Sequence, residues 1–344
     1  MKLVWHRLTH WEYWPAWAIY MPVGFYWIWL SAKARTPFFF NAANPGIKNG
    51  GFMAESKMDI YRIMPTEVTP KTIVVHEGTD VKSAYQRARN SGIGFPMIAK
   101  PDIGLRGSAV KRLESLQDLE DYANRAKFDF LLQELIPYRN EVGIFYVRMP
   151  GERRGRITGI VAKEFLRVTG DGRSTVAQLL MKDPRHEMQL AAVARQAPQI
   201  LPVVPGKGEG FDVVPYGNHA RGAKFTDASH QSSDRLVVLI DGICQKIPGF
   251  YFGRLDIMYD NWQDLENGLA FKLVEVNGSS SEPTHIYDPG HSIFFAWREL
   301  VRHFGLMHQI AEANARAGHD YLSCWEGLQA YREHRAQSRK ITAF

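Results

Sequence analysis

Cysteine is nearly missing from this chain. There are two in 344 residues, Cys244 and Cys324. Neither sits in a Cys-x-x-Cys pair, so neither a disulfide framework nor a thiolate zinc site follows. Cys244 lies in the apolar run 236–245, which reads as a buried helix. The twelve histidines show no metal-binding pattern on one helix. No charge sign dominates, with 42 Lys and Arg against 36 Asp and Glu, a net charge of +6. The basic clusters Arg153-Arg154, Arg332 to Arg335 and Arg339-Lys340 are short and lack interleaved aromatics, and two of them adjoin Glu152 or Glu333. A nucleic-acid partner is therefore not expected. No internal repeat occurs. Hydrophobic content of 45% and charged content of 23% are ordinary for a globular protein, and the length allows one large core or two to three modules.

Long apolar runs are absent with one exception. Residues 13–30 carry no charge, and six of the nine tryptophans fall at or before Trp29. The run only reaches the lower limit for a spanning helix. Trp and Tyr favour a membrane interface, and Lys33 and Arg35 form a basic flank. Pro15 and Pro22 argue against one regular helix, so contact with a membrane surface is expected in the plane of the bilayer rather than across it. An aromatic hairpin packed on the core is the alternative. Ala32-Lys33-Ala34 has the form of a cleavage site, but the aromatic, proline-broken run does not suit a signal peptide.

Near the C-terminal end, Gly253-Arg254-Leu255-Asp256 and residues 271–278, which contain Glu275-Val276-Asn277, read as two strand ends. Residues two apart on a strand share a face, so Glu275 and Asn277 reach one site. With Asp256 they form an oxygen-only donor set suited to Mg²⁺, which points to a nucleotide-using enzyme. Upstream, an apolar strand delivers Lys100. The loop that follows, Gly104 to Ser108 with Gly107, is suited to cradling phosphate. Another apolar strand carries Glu134 into Leu135-Ile136-Pro137. Glu141 opens the next strand and Lys163 closes the one after.

This ordered series resembles the ATP-grasp superfamily, most closely its D-alanine–D-alanine ligase-like carboxylate–amine ligases, over about residues 65–305. The resemblance implies an α+β fold in which two subdomains clasp ATP. It implies Lys100 and Lys163 on the phosphates, and Gly104, Gly107 and Ser108 as the closing loop. Glu134 would lie near the adenine amino group, with Leu135, Ile136 and Pro137 as hinge backbone, and Glu141 on the ribose hydroxyls. Arg254 would stand beside the transferring phosphoryl group, and Asp256, Glu275 and Asn277 would be the magnesium ligands, Mn²⁺ being a substitute ion. The expected cofactors are thus ATP and Mg²⁺, and the expected partners a small-molecule carboxylate and amine. The reaction would run in the cytoplasm, at the inner face of the membrane if the aromatic run binds there. A phosphotransferase, or a membrane-bound ATP-holding regulatory module, is the alternative.

The rest of the chain reads as follows. Residues 1–35 form the aromatic segment, and 36–70 a truncated N-terminal subdomain. The small ATP-holding subdomain covers 71–135, the large one with the metal site 136–305, and 306–344 a helical tail. Within 37–57 a buried strand and a glycine-rich loop lead to a helix starting at Ser56, and Asn44, Gly50, Gly51 and Glu55 are candidates for a substrate site. Helices are expected at 80–90 and, capped by Ser115, at 116–126. A third should follow the Gly170-Asp-Gly turn, capped by Ser174. This turn resembles that of amide-forming ATP-grasp enzymes such as cyanophycin synthetase. The irregular stretch 198–230 offers Arg221 or Lys224 to a substrate carboxylate or the phosphoryl group. Glu282 and His285, in the loop after the metal strand, are candidates for recognising the amine. That loop and the Gly104–Ser108 segment depart from the D-alanine ligase pattern, so a different substrate, such as a membrane-proximal acceptor, is expected.

Overall fold

A computed structural model describes residues 2–53, 55–104, 107–213 and 223–344. The chain starts with α1 (Lys2–Thr9), α2 (Ala16–Ala34) and α3 (Lys57–Ile63). Residues 16–30 of the aromatic run lie in one helix despite Pro22. Pro15 is its N-cap, and Pro22 costs one backbone hydrogen bond inside it. Packing compensates, because Ile19, Val23 and Leu30 are buried. No helix among the described residues is long and apolar enough to cross a membrane.

The strand expected after Pro37 is instead a 3₁₀ turn, Phe39–Ala43. A strand would send Phe39 and Phe40 to opposite faces. Here both are buried in one cluster with Leu30, Met307 and Ile310.

A small sheet follows. Its elements are β1 (Thr72–Val75), α4 (Val81–Asn90), β2 (Met97–Pro101), β3 (Lys111–Leu113), α5 (Leu116–Arg125) and β4 (Phe130–Glu134). The strands pair antiparallel in the order β1-β4-β2-β3. Ala84 and Ala88 of α4 and Leu119 and Tyr122 of α5 pack with Met97, Ala99 and Leu132. Asp80 caps α4, and Ser115 closes a capping box with Asp118 on α5.

The larger sheet takes up β5 (Asn140–Val147) and β6 (Arg156–Glu164). An excursion then runs through β7 (Arg167–Thr169), α6 (Val176–Leu180), α7 (Pro184–Glu187), α8 (Leu190–Gln196) and β8 (Gly210–Asp212). The cap of α6 is Thr175, not Ser174, whose hydroxyl bonds Asp171 within the turn. The chain returns through β9 (Lys224–Asp227), α9 (Asp234–Gln245), β10 (Phe252–Tyr259), α10 (Trp262–Glu266) and β11 (Phe271–Asn277). The strand order is β11-β10-β5-β6-β9, all antiparallel.

Both faces of this sheet are covered, which explains the unbroken apolar run in β5. Val142, Ile144 and Tyr146 face a cluster with Ile240 and Cys244 of α9 and Ile60 of α3. Phe145 and Val147 face Leu30 of α2 and Met307 of α11 (Ile293–Arg316). Helix α11 runs through the boundary expected at 305. The last helix, α12 (Cys324–Thr342), joins the two cores, with Ala330 in the α2–α11 cluster and Ile341 in that of the small sheet.

Candidate active site

The acids and cations named from the sequence meet where β5, β6, β10 and β11 run side by side. Asp256 pairs in register with Glu275 on β11 and with Gly143 on β5, and Glu141 with Lys163 on β6. A bulge follows Asp256 in the β10–β11 pairing, a device that re-aims side chains beside a site.

Arg254 Nε and Nη2 donate to Asp256 Oδ1 and Oδ2 at 2.8 and 3.0 Å. Lys163 Nζ pairs with Glu141 and lies 3.3 Å from Asp256 Oδ2. Asn277 Nδ2 reaches the same oxygen at 3.4 Å. Burial alone would raise the Asp256 carboxyl, but Arg254 and then Lys163 hold it below the usual carboxylate range. Burial would likewise lower the Lys163 ammonium, yet Asp256 and Glu141 more than offset it and keep it charged. Arg254 is held charged against burial by Asp256, Glu275 and Glu282.

Lys100 faces this cluster from the small sheet. Its Nζ donates to Tyr61 Oη at 2.7 Å and to Gln133 Oε1 at 3.0 Å. Gly104 starts the loop beside it, while Gly107 and Ser108 fall in the turn that leads to β3. Leu105 and Arg106 lie outside the described residues, as does Arg221. Leu135, Ile136 and Pro137 form the connection from β4 to β5, the crossing between the two sheets.

Several other named residues are engaged elsewhere. Glu134 accepts the Lys71 N–H at 2.9 Å, which ties it to the edge of the small sheet. Lys224 pairs with Glu164 at 3.5 Å. Glu282 accepts from Tyr287 Oη at 3.0 Å, though unlike the others it stays within electrostatic reach of Arg254. His285 is buried beneath the β6 backbone, 3.8 Å from the Glu299 carboxylate. A Cβ at Gly159 would sit 2.2 Å from its Nδ1. It does not open onto the acid cluster.

Asn44 is wholly buried and acts as a clamp. Its Oδ1 accepts the Tyr251 and Phe252 N–H groups, both at 2.9 Å, and its Nδ2 donates to Phe252 O at 2.7 Å and Gly50 O at 3.1 Å. Gly50 and Gly51 hold φ of 66° and 75°, and a Cβ at Gly51 would sit 2.7 Å from Gly278 Cα. Only glycine fits both the backbone conformation and that approach. The glycine loop is thereby stitched to the end of β11.

Three residues escaped the sequence reading. Tyr61 and Gln133 hold Lys100, and Lys57 Nζ pairs with Glu275 Oε1. One signal was available for Lys57. It is the first residue of α3, a position where the helix dipole favours acids over cations, so it needed another reason to be there.

Three acids (Glu141, Asp256, Glu275) thus face three cations (Lys57, Lys163, Arg254). The cluster is shut, the Lys163 and Asp256 side chains each being 5% exposed. Among the described residues no group of three or more His, Cys, Asp or Glu stands ready to hold a metal ion. The hard oxygens of Asp256, Glu275 and Asn277 suit a divalent cation, but in this arrangement the protein's own cations occupy the two carboxylates.

No family model matches this chain, and no curated protein matches it in sequence. Solved structures with a similar chain path include a bifunctional glutathione synthetase from Pasteurella multocida, at 13% identity and a TM-score of 0.39. That match covers 74% of this chain and 38% of the synthetase. They also include a D-alanine–D-alanine ligase from Bacillus anthracis, at 12% identity, a TM-score of 0.41 and coverage of 76% and 67%. A third is the VanG D-Ala:D-Ser ligase from Enterococcus faecalis, at 13%, 0.40, 73% and 61%. These likenesses are distant, and the chemistry of the site is read from its own side chains.

Proposed function

We propose that this chain is an ATP-dependent ligase that joins a small-molecule carboxylate to an amine through an acyl phosphate. The observation that carries the reading is the balanced cluster of Lys57, Lys163 and Arg254 with Glu141, Asp256 and Glu275, faced by Lys100. Such a set suits the transfer of a highly charged group between anions, because catalysis there is mostly positioning and electrostatics. The substrate carboxylate oxygen attacks the γ-phosphorus of ATP and the bond to ADP breaks. The amine nitrogen then attacks the acyl carbon, phosphate departs, and the nitrogen loses its proton. Lys100, Lys163 and Arg254 share the charge of the transferring phosphoryl group. Gly104, Gly107 and Ser108 would help to exclude water, which would hydrolyse the acyl phosphate. Asp256, Glu275 and Asn277 would hold Mg²⁺, which supplies neutralisation of phosphate charge.

The test is ADP release screened over paired amino acids and carboxylates, with the product identified by mass spectrometry. An amide sustains the reading, and a stable phosphorylated product would replace it with a phosphotransferase. Isothermal titration with Mg·ATP should show weaker binding for Lys100→Ala than for wild type. Equal affinity would remove Lys100 from the site.

A second reading concerns location. Trp17, Met21, Phe25, Ile28 and Trp29 are each more than half exposed along one stripe of α2, and Lys33 lies 4.9 Å over the Trp29 ring. Trp5 and Leu8 of α1 and Phe294 of α11 are exposed as well. Apolar faces of this kind, rich in tryptophan and flanked by basic residues, suit the interface of a bilayer with anionic lipid. We propose that α2 lies in the plane of the membrane at its cytoplasmic face and brings the site near a membrane-proximal acceptor.

A further inference from the structure

The seven residues of α3 stand between the two sheets and touch both. At its start Lys57 N donates to Asp102 O at 3.0 Å and Met58 N to Asp102 Oδ1 at 2.9 Å, while Ser56 bridges to Ile103. These bonds fasten the segment to the strand that has just delivered Lys100. One turn on, Tyr61 Oη takes the Lys100 ammonium and donates to Val274 O, next to Glu275. Lys57 points into the space between. Its Nζ pairs with Glu275, and a Cβ at Gly104 would sit 2.6 Å from it. Its side chain is 17% exposed. The ammonium therefore touches the first glycine of the loop on one side and an acid of the cluster on the other.

A lysine at the first position of a helix opposes the dipole, and burying a long cation is costly unless it is paired. Surface solubility explains neither feature. A cation is wanted at this point because the loop that would cover phosphates and the acids that would face them converge there.

We propose that Lys57 is a phosphate-contacting residue of the ligase site, contributed by the N-terminal segment, which holds Glu275 until nucleotide arrives and then turns to the terminal phosphate. The proposal rests on the ATP-ligase reading. Exchange of one charged hydrogen bond for another keeps Lys57 paired throughout. It releases the Glu275 carboxylate, the oxygen donor assigned above to Mg²⁺, as phosphate charge enters the site. The Asn44 clamp and the Gly50–Gly51 contact with Gly278 hold the chain that precedes this lysine against the ends of β10 and β11.

The experiment is isothermal titration of a non-hydrolysable ATP analogue and of ADP, each with Mg²⁺, against wild type, Lys57→Met and Lys57→Gln. Gln still donates to Glu275, so it keeps the question open if the Met variant does not fold, which thermal melting reports. The expected result is a loss of about tenfold or more in affinity for the analogue, the usual scale of one charge-assisted hydrogen bond, with ADP affinity changed by less than about twofold. Equal affinity of wild type and a folded variant for the analogue would overturn the role of Lys57 and leave the nucleotide reading standing. A wild type that binds neither nucleotide would overturn that reading and this proposal with it.

Discussion

Lys163 reaches Asp256 across an intervening strand. Its Nζ lies 3.3 Å from Oδ2, although β5 runs between β6 and β10. The path is open because β5 has Gly143 opposite Asp256. A Cβ there would sit 2.9 Å from Val161 Cγ1 and 3.1 Å from both Asp256 Oδ1 and Arg254 Cδ. Val161 belongs to a packed sheet and Arg254 and Asp256 to the charged cluster, so little can give.

Gly143→Ala should therefore push the Arg254–Asp256 pair out of place. Overpacking of this kind costs roughly 1–3 kcal/mol, which urea unfolding would register, and the rate of ADP release should fall with it. A variant with wild-type stability and rate would show that the close packing around Gly143 is not required.

Asp256→Asn and Glu275→Gln each remove one negative charge at nearly constant shape. Turnover should fall by roughly two orders of magnitude or more in both, the usual cost of a lost electrostatic contact to developing charge. Their stabilities should differ. Asp256 balances buried Arg254 and Lys163, and breaking a buried pair costs about 3–5 kcal/mol. Glu275 is one-third exposed, so Gln there should be milder. Melting curves run beside the kinetics would separate the two, and full activity in either variant would remove that residue from the site.

His303 predicts an acid-side loss of stability. Its Nδ1 donates to Glu299 O at 2.7 Å and its Nε2 accepts from Thr158 Oγ1 at 2.9 Å, so the neutral ring is satisfied. Burial lowers its pKa to about 4, with Glu299, His285 and Arg302 as the charged or titratable groups facing it. The unfolded chain takes up this proton near 6.5. Between those values the unfolded state holds the extra proton, so stability falls as pH drops from about 6.5 to about 4. The contribution is roughly 3 kcal/mol at about 1.4 kcal/mol per unit. His303→Gln should flatten this part of the melting-temperature profile relative to wild type. Parallel profiles would show that His303 does not titrate in this way.

Deleting residues 1–35 would be a poor test of membrane contact, because Ile19, Val23 and Leu30 pack against α11 and its neighbours. The outward stripe can be changed alone. Trp17→Ser, Phe25→Ser and Ile28→Ser together should leave melting nearly unchanged, since these side chains are exposed. At about 25 cal/mol per Å² of apolar surface, three large side chains should decide binding. Wild type should float with anionic vesicles and the triple variant should not. A wild type that stays at the bottom of the gradient would end this reading.

The strands carrying Lys100, Glu134, Glu141, Lys163 and Glu275 were legible from short apolar runs bounded by polar residues, because strand period and strand length are local properties. So were the capped helices α4 and α5, whose Asp80 and Ser115 bond backbone N–H groups three residues on. Asp256, expected at a strand end, lies instead in the middle of β10, which continues to Tyr259. Tertiary packing decided the remainder. It turned Phe39 and Phe40 into one core and kept α2 helical through Pro22. It also buried His285 and brought Lys57 to Glu275 from 218 residues away. Each of these depends on which surfaces meet. A local pattern sets the face a residue takes on its own element, and only the packed fold sets what stands opposite that face.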